Sequence, residues 1–176
     1  MFLADFTELA NRCRESDGGF DAFQSSSDVV ALHWPRDVVE QWLYDHSGHP
    51  PFLNDYGQID LTRIRWDLET LPAGVFADVP TGASEHDTID IYAAAPDHWI
   101  GVRNCGIHLG VAEMWTLYGT WKRWPVLIDR QLLSPPHPGL QVVEGRTRVG
   151  ILRGRLREGD HVADQQLAWV GRPAGS

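Results

Sequence analysis

Apolar residues recur at helical spacing at the start of the chain: Phe2, Leu3, Phe6, Leu9 and Ala10 predict an amphipathic helix over residues 2–14. A second helical pattern runs through HWPRDVVEQWLYDH (33–46). Pro35 suits its first turn, Asp37 and Glu40 favour its N-terminal end, and Val38, Val39, Trp42 and Leu43 form its buried stripe. The turn-rich DGGFDAFQSSSD (17–28) reads as a loop, and SGHPPFLNDYGQ (47–58) breaks the second helix. The period then changes. LTRIRWDL (61–68) alternates imperfectly and predicts a strand with one buried face. A short LPAGVF element follows, DVPTGASEHD (78–87) reads as a loop, and TIDIYAAA (88–95) as a strand. PDHWIGVRNCG is ambiguous between the two periods.

From Ile107 to Lys122 the apolar residues return to mixed helical spacing, and this helix ends near Gly119. Pro125-Val126-Leu127-Ile128 opens a buried strand, with proline at the first residue, where no ladder hydrogen bond is lost. SPPHPG (134–139) is a turn and Leu140–Val143 a second short strand. The chain is helical again from Gly145, with Val149, Leu152 and Leu156 as its buried stripe, and LAWVG (167–171) is a closing strand. Gly150 and Gly154 inside that helix cost about 1 kcal/mol each relative to alanine. That cost points either to a backbone or ligand in close approach or to a weak, tolerated helix.

Length and composition add bounds. A chain of 176 residues holds one domain with a proper core plus an extension or insertion. Hydrophobic residues at 43% and charged residues at 22% are ordinary for a soluble globular protein. No apolar run approaches the roughly 18 residues of a membrane span, and the acidic N-terminus does not read as a signal peptide. Cys13 and Cys105 form no disulfide framework, so a reducing cytoplasm is the expected location.

Charge changes the picture more. Residues 1–100 carry five Lys and Arg against 18 Asp and Glu, and residues 101–176 carry ten against six, within a net charge of −9. An acidic first half argues against direct DNA binding, which needs a broad basic face. It is compatible with a solubilising surface, with a basic protein partner, or with a local basic site for a phosphate-bearing small molecule elsewhere. The basic residues concentrate in VVEGRTRVGILRGRLR (142–157), where five arginines fall between Arg146 and Arg157. A strand, a glycine and an arginine-bearing helix make a ready anion site. The helix start offers unpaired N–H groups and a positive dipole end, and Gly145 permits a sharp turn and a close approach. Arg148 can fork onto phosphate oxygens, with Thr147 beside it. Arg153 and Arg157 are expected to face water.

These pieces resemble the ParB/sulfiredoxin-like superfamily, whose signature is a strand followed by G-x-x-R at a helix start. The matching stretches are AEMWTLYGTWKRWPVLIDR (112–130), GLQVVEGRTRVGILRG (139–154) and LAWVG. The resemblance implies an α+β fold, a small mixed sheet with flanking helices. A domain over 59–172, with an insertion near 78–104, would follow a helical N-terminal extension over 1–58. It implies nucleotide phosphates held by Gly145, Arg146, Thr147 and Arg148, the nucleotide being CTP, ATP or ADP. Sulfiredoxins carry a catalytic cysteine where this chain has Arg146, so sulfinic-acid reduction is not implied. Chromosome-partitioning members carry an acidic residue after the glycine and a downstream DNA-binding domain; this chain has Arg146 there and runs only five residues past Gly171. Glu144 matches the acidic residue of phosphate-transferring relatives. It would hold Mg²⁺ or act as a base, or simply pair with Arg148.

Other patterns are weaker. His46-x-x-His49 and Cys105-x-x-His108 lack partner pairs at zinc spacing, so no zinc is expected. Ser84–Asp87 with Asp90 reads as a solvated acidic loop, and Trp115, Trp121 and Trp124 as packing of the helix-to-strand joint. Three functions follow: a nucleotide-binding protein that hydrolyses or transfers phosphate, a non-catalytic interaction module such as an immunity or regulatory partner, and, less supported, a nuclease.

Overall fold

Successive residues of the central strands point to opposite faces, and in this protein each face has its own core. In the computed structural model, which describes residues 1–175, Val126, Ile128 and Val143 join one apolar cluster while Leu127, Val142 and Ala168 join another. The strands are β1 (Ile64–Pro72), β2 (Val126–Asp129), β3 (Leu140–Glu144) and β4 (Gln165–Pro173), in the spatial order β1-β4-β2-β3. β1 pairs antiparallel with β4 and β2 antiparallel with β3, whereas β2 and β4 run parallel. The α+β class with a small mixed sheet is therefore present. Val126–Ile128 are fully buried, as a strand covered on both faces requires.

The first face is covered by the helical segment 1–58. It holds α1 (Thr7–Arg14), α2 (Gly19–Gln24), α3 (Ser27–Ala31), α4 (Arg36–Val38) and α5 (Pro50–Tyr56). α4 continues as a wider π-turn over Val39–Tyr44. Phe6, Phe23, Trp42, Phe52 and Tyr56 pack there against Ile64 and the sheet. The turn-rich 17–28 is thus two short helices, because burying Phe23 and Val29 outweighs the glycine and serine content. Likewise 47–58 contains a helix whose two prolines occupy its first turn, where no backbone donor is needed.

The opposite face carries α6 (Thr88–Ala93), α7 (Pro96–Arg103), α8 (Val111–Glu113), which continues as a π-turn over Met114–Tyr118, and α9 (Arg146–Glu158). Here the strand expected at 88–95 is a helix: Ile89 and Ala93, four residues apart, are buried, while Ile91 is exposed. The two glycines of α9 explain why. A Cβ at Gly150 would lie 2.7 Å from the Ile89 carbonyl oxygen, and one at Gly154 2.5 Å from that of Ala93. α6 therefore lies directly on α9, and the close-approach reading of the glycines holds. The expected stripe of α9 is corrected at one end. Val149, Ile151 and Leu152 are buried, but Leu156 is exposed.

Candidate functional site

β3 ends at Glu144, and Gly145 turns the chain with φ +99°, a left-handed conformation that disfavours any side chain. The first helical hydrogen bond of α9 runs from Val149 N–H to the Gly145 carbonyl at 2.9 Å, and no side chain caps the helix. The amides of Arg146, Thr147 and Arg148 thus form the unpaired positive end of a 13-residue helix.

The arginines behind that turn are engaged with protein groups. Arg146 donates to the Val143 carbonyl at 3.1 Å, pairs with Glu85 at 2.9 Å and lies over the Phe52 ring. Arg148 donates to the carbonyls of Arg123 and Trp124 at 3.1 and 3.3 Å, to Gln41 Oε1 at 2.7 Å and to Glu144 Oε1 at 3.3 Å. Arg153, expected to face water, is 8% exposed and donates to the carbonyls of Phe76 and Val79. Arg155 pairs with Asp97 and Asp160, and Arg157 with Asp90. Every arginine of the run has a carboxylate partner.

Glu144 sits among these charges. One oxygen accepts from Arg148, and the other faces His46 Nε2 at 3.4 Å and Arg146 at 4.0 Å. Burial by itself would raise its carboxyl, but the hydrogen bond from His46 and the charges of Arg148, His46 and Arg146 prevail and hold it at about 2. A carboxylate this acidic is a weak base. With cations against both oxygens, it is also poorly placed to ligate Mg²⁺.

Beyond the turn opens a cleft of about 500 Å³ bounded by the α9 start (Gly145, Thr147, Arg148), α7, the 106–108 turn and α8. Ile107, Val111 and Ile151 give it an apolar wall, and Trp115 and Trp121, 1% and 3% exposed, lie at its floor. Two of its cations have no carboxylate partner among the described residues. Arg103 donates to Thr147 Oγ1 at 3.3 Å, and Lys122, the single lysine of the chain, to the Leu109 carbonyl at 2.6 Å. Arg123, by contrast, is neutralised by Asp37 at 2.6 Å and Glu40 at 2.7 Å. His108 also lines the cleft; burial, then the charges of Arg148, Arg103, Arg123 and Lys122, pull its pKa below 6.5. A smaller polar recess of about 250 Å³ adjoins it, sharing Arg103, Glu144 and Thr147 and adding His46, Tyr92 and Arg146.

The structure thus brings Glu144 through Arg148 together at one turn, but the unpaired charge nearby is on Arg103 and Lys122. Sequence patterning did not single these out. Among the described residues no three His, Cys, Asp or Glu side chains converge as a metal group, and both cysteines are free. No helix among them is long and apolar enough to cross a membrane. Compared with known family models, curated proteins and solved structures, the chain matches none.

Proposed function

We propose that the protein binds a nucleotide or related phosphate-bearing small molecule in the cleft at the start of α9. The observation that carries this reading is the pair Arg103 and Lys122, both without carboxylate partners among the described residues, lining the same cleft as the uncapped helix start. Helix-start amides and unpaired cations suit an anion, and the wall of Ile107, Val111 and Ile151 suits an apolar ring. The chain order helix, glycine, proline-led strand, then strand, glycine, helix and closing strand supports placing the protein beside the ParB/sulfiredoxin-like proteins. In this reading Arg148 and Glu144 hold the turn together, while Thr147, Arg103, Lys122 and the backbone meet the phosphate. Hydrolysis or transfer would need a proton carrier other than Glu144, and His108 is the cleft group suited to it.

A thermal-shift screen of CTP, ATP, ADP and AMP, with and without Mg²⁺, tests the reading. Ligand at a hundred times its Kd stabilises the folded state by about 2.7 kcal/mol. Arg103→Ala and Lys122→Ala should each reduce the shift by about half, and a flat response of the unmodified protein to all four nucleotides overturns it.

A second reading, an interaction module, is favoured by the exposed apolar side chains Ile107, Leu109, Leu117 and Tyr118, which are 79%, 64%, 57% and 58% exposed. Asp37 and Glu40, the acidic pair of the second helix, are committed to Arg123, so reversing their charge would disturb the fold before it disturbed a partner. Partner binding that survives Arg103→Ala and fails after Leu117→Asp would favour this reading.

A further inference from the structure

The charges lining the cleft are nearly balanced, and this restricts what the cleft can take. Its cations are Arg103, Lys122, Arg123 and Arg148, and its carboxylates are Asp37, Glu40 and Glu144. Four against three leaves a single positive charge, to which the α9 start adds about half a charge. A phosphomonoester carries roughly −1.5 to −2 at neutral pH. The two therefore match. A triphosphate without Mg²⁺ brings a much larger negative charge, and its excess would face Asp37, Glu40 and Glu144 with no further cation unpaired among the described residues of the lining.

One other feature bears on the same point. The apolar wall runs from Ile107 through Val111 to Ile151, which inorganic phosphate or a bare polyphosphate would leave uncovered. We infer that the cleft is built for an organic phosphomonoester bearing a ring, a nucleoside monophosphate or a molecule of that shape, and that it disfavours a triphosphate that carries no Mg²⁺. This rests on the reading of the cleft as a phosphate site and makes that reading more specific.

Calorimetry at pH 7.5 with AMP, CMP, phenyl phosphate, inorganic phosphate, ATP and ATP with Mg²⁺ separates the cases. One of the two nucleoside monophosphates should bind at least about tenfold tighter than ATP without Mg²⁺ and than inorganic phosphate, a discrimination worth about 1.4 kcal/mol, and Mg²⁺ should narrow the gap for ATP by lowering its charge. Phenyl phosphate, whose ring can cover the apolar wall, should also bind more tightly than inorganic phosphate. Arg103→Ala and Lys122→Ala should each weaken the monophosphate about tenfold. ATP without Mg²⁺ binding as tightly as AMP and CMP would overturn the inference and leave the phosphate-site reading intact. Inorganic phosphate binding as tightly as AMP and CMP would overturn the requirement for a ring. No binding by any of the six would overturn the reading of the cleft itself.

Discussion

Arg148 donates to Gln41 at 2.7 Å across 107 residues of sequence, and this contact joins the α9 start to the helices on the other side of the sheet. Gln41 in turn donates to Asp37, which also accepts from Arg123 and from the Trp169 indole. The arginine that sequence patterning placed on a phosphate is the centre of this network. Its guanidinium also lies against Gly145, where a Cβ would sit 2.9 Å from its Nε.

Arg148→Ala should therefore be a stability mutation. It leaves Glu144 without its arginine and removes the donor from Gln41 and from the carbonyls of Arg123 and Trp124. The loss should be about 2–4 kcal/mol in urea unfolding. Arg148→Lys keeps the charge but not the fork, and should recover less than half. If Arg148→Ala unfolds at the same urea concentration as the unmodified protein, the guanidinium is free for a ligand and the network described here is wrong.

Gly150→Ala sets two effects against each other. Alanine gains about 1 kcal/mol of helix propensity, but its methyl would sit 2.7 Å from the Ile89 carbonyl oxygen of α6. Backbone cannot yield as a flexible side chain can, and overpacking typically costs about 1–3 kcal/mol. A net loss of stability is expected, with α6 displaced. A higher melting temperature for this variant would mean that α6 does not rest on α9.

These two residues show which parts of the fold were legible. The strand at Val126–Ile128 and the glycine-led helix after β3 announce themselves locally, through Pro125 ahead of an apolar triplet and Gly145 shortly after Val142-Val143. The helix at Thr88–Ala93 does not. Ile89 and Ile91 alternate as a strand would, and only the glycines of α9, some 60 residues away, make room for a helix there. Nor does a run of arginines reveal which are buried. Arg153 lies inside because the carbonyls of Phe76 and Val79 converge on it. Arg103 and Lys122 become a pair only when α7 and the segment before β2 meet at α9, which no local pattern encodes.

The Glu144 carboxyl gives a pH test. Its value in the fold, about 2, lies below the ordinary 4.5, so its ionised form stabilises the protein above about pH 4.5, and that contribution fades as pH falls towards 2. The stability gap between the unmodified protein and Glu144→Gln should be constant above pH 5 and narrow steadily below it in urea titrations. Asp45, whose carboxyl is raised chiefly by burial and in part by the Glu144 charge, acts with the opposite sign, and relief of that repulsion in acid offsets part of the narrowing. A gap that does not change between pH 6 and 3 would show that Glu144 gains nothing from His46 and Arg148.

His108 connects pH to the cleft. In the free protein its pKa is below 6.5, first because the ring is partly buried and then because Arg148, Arg103, Arg123 and Lys122 surround it. The unfolded chain therefore binds the proton more readily, and the free protein should lose stability as pH falls through 6.5. A bound phosphate reverses the sign locally. It offsets the four cations, raises the imidazole pKa and draws a proton onto the ring, so binding should take up protons at pH 6. Calorimetry in two buffers of different ionisation enthalpy measures that uptake. The phosphomonoester titrates in the same range, so the informative quantity is the difference between the unmodified protein and His108→Asn with one ligand. Uptake should fall clearly in the variant, and affinity at pH 6 should drop a few fold while affinity at pH 8 is unchanged. Equal proton uptake by the two proteins would place the anion away from His108 and so outside the cleft.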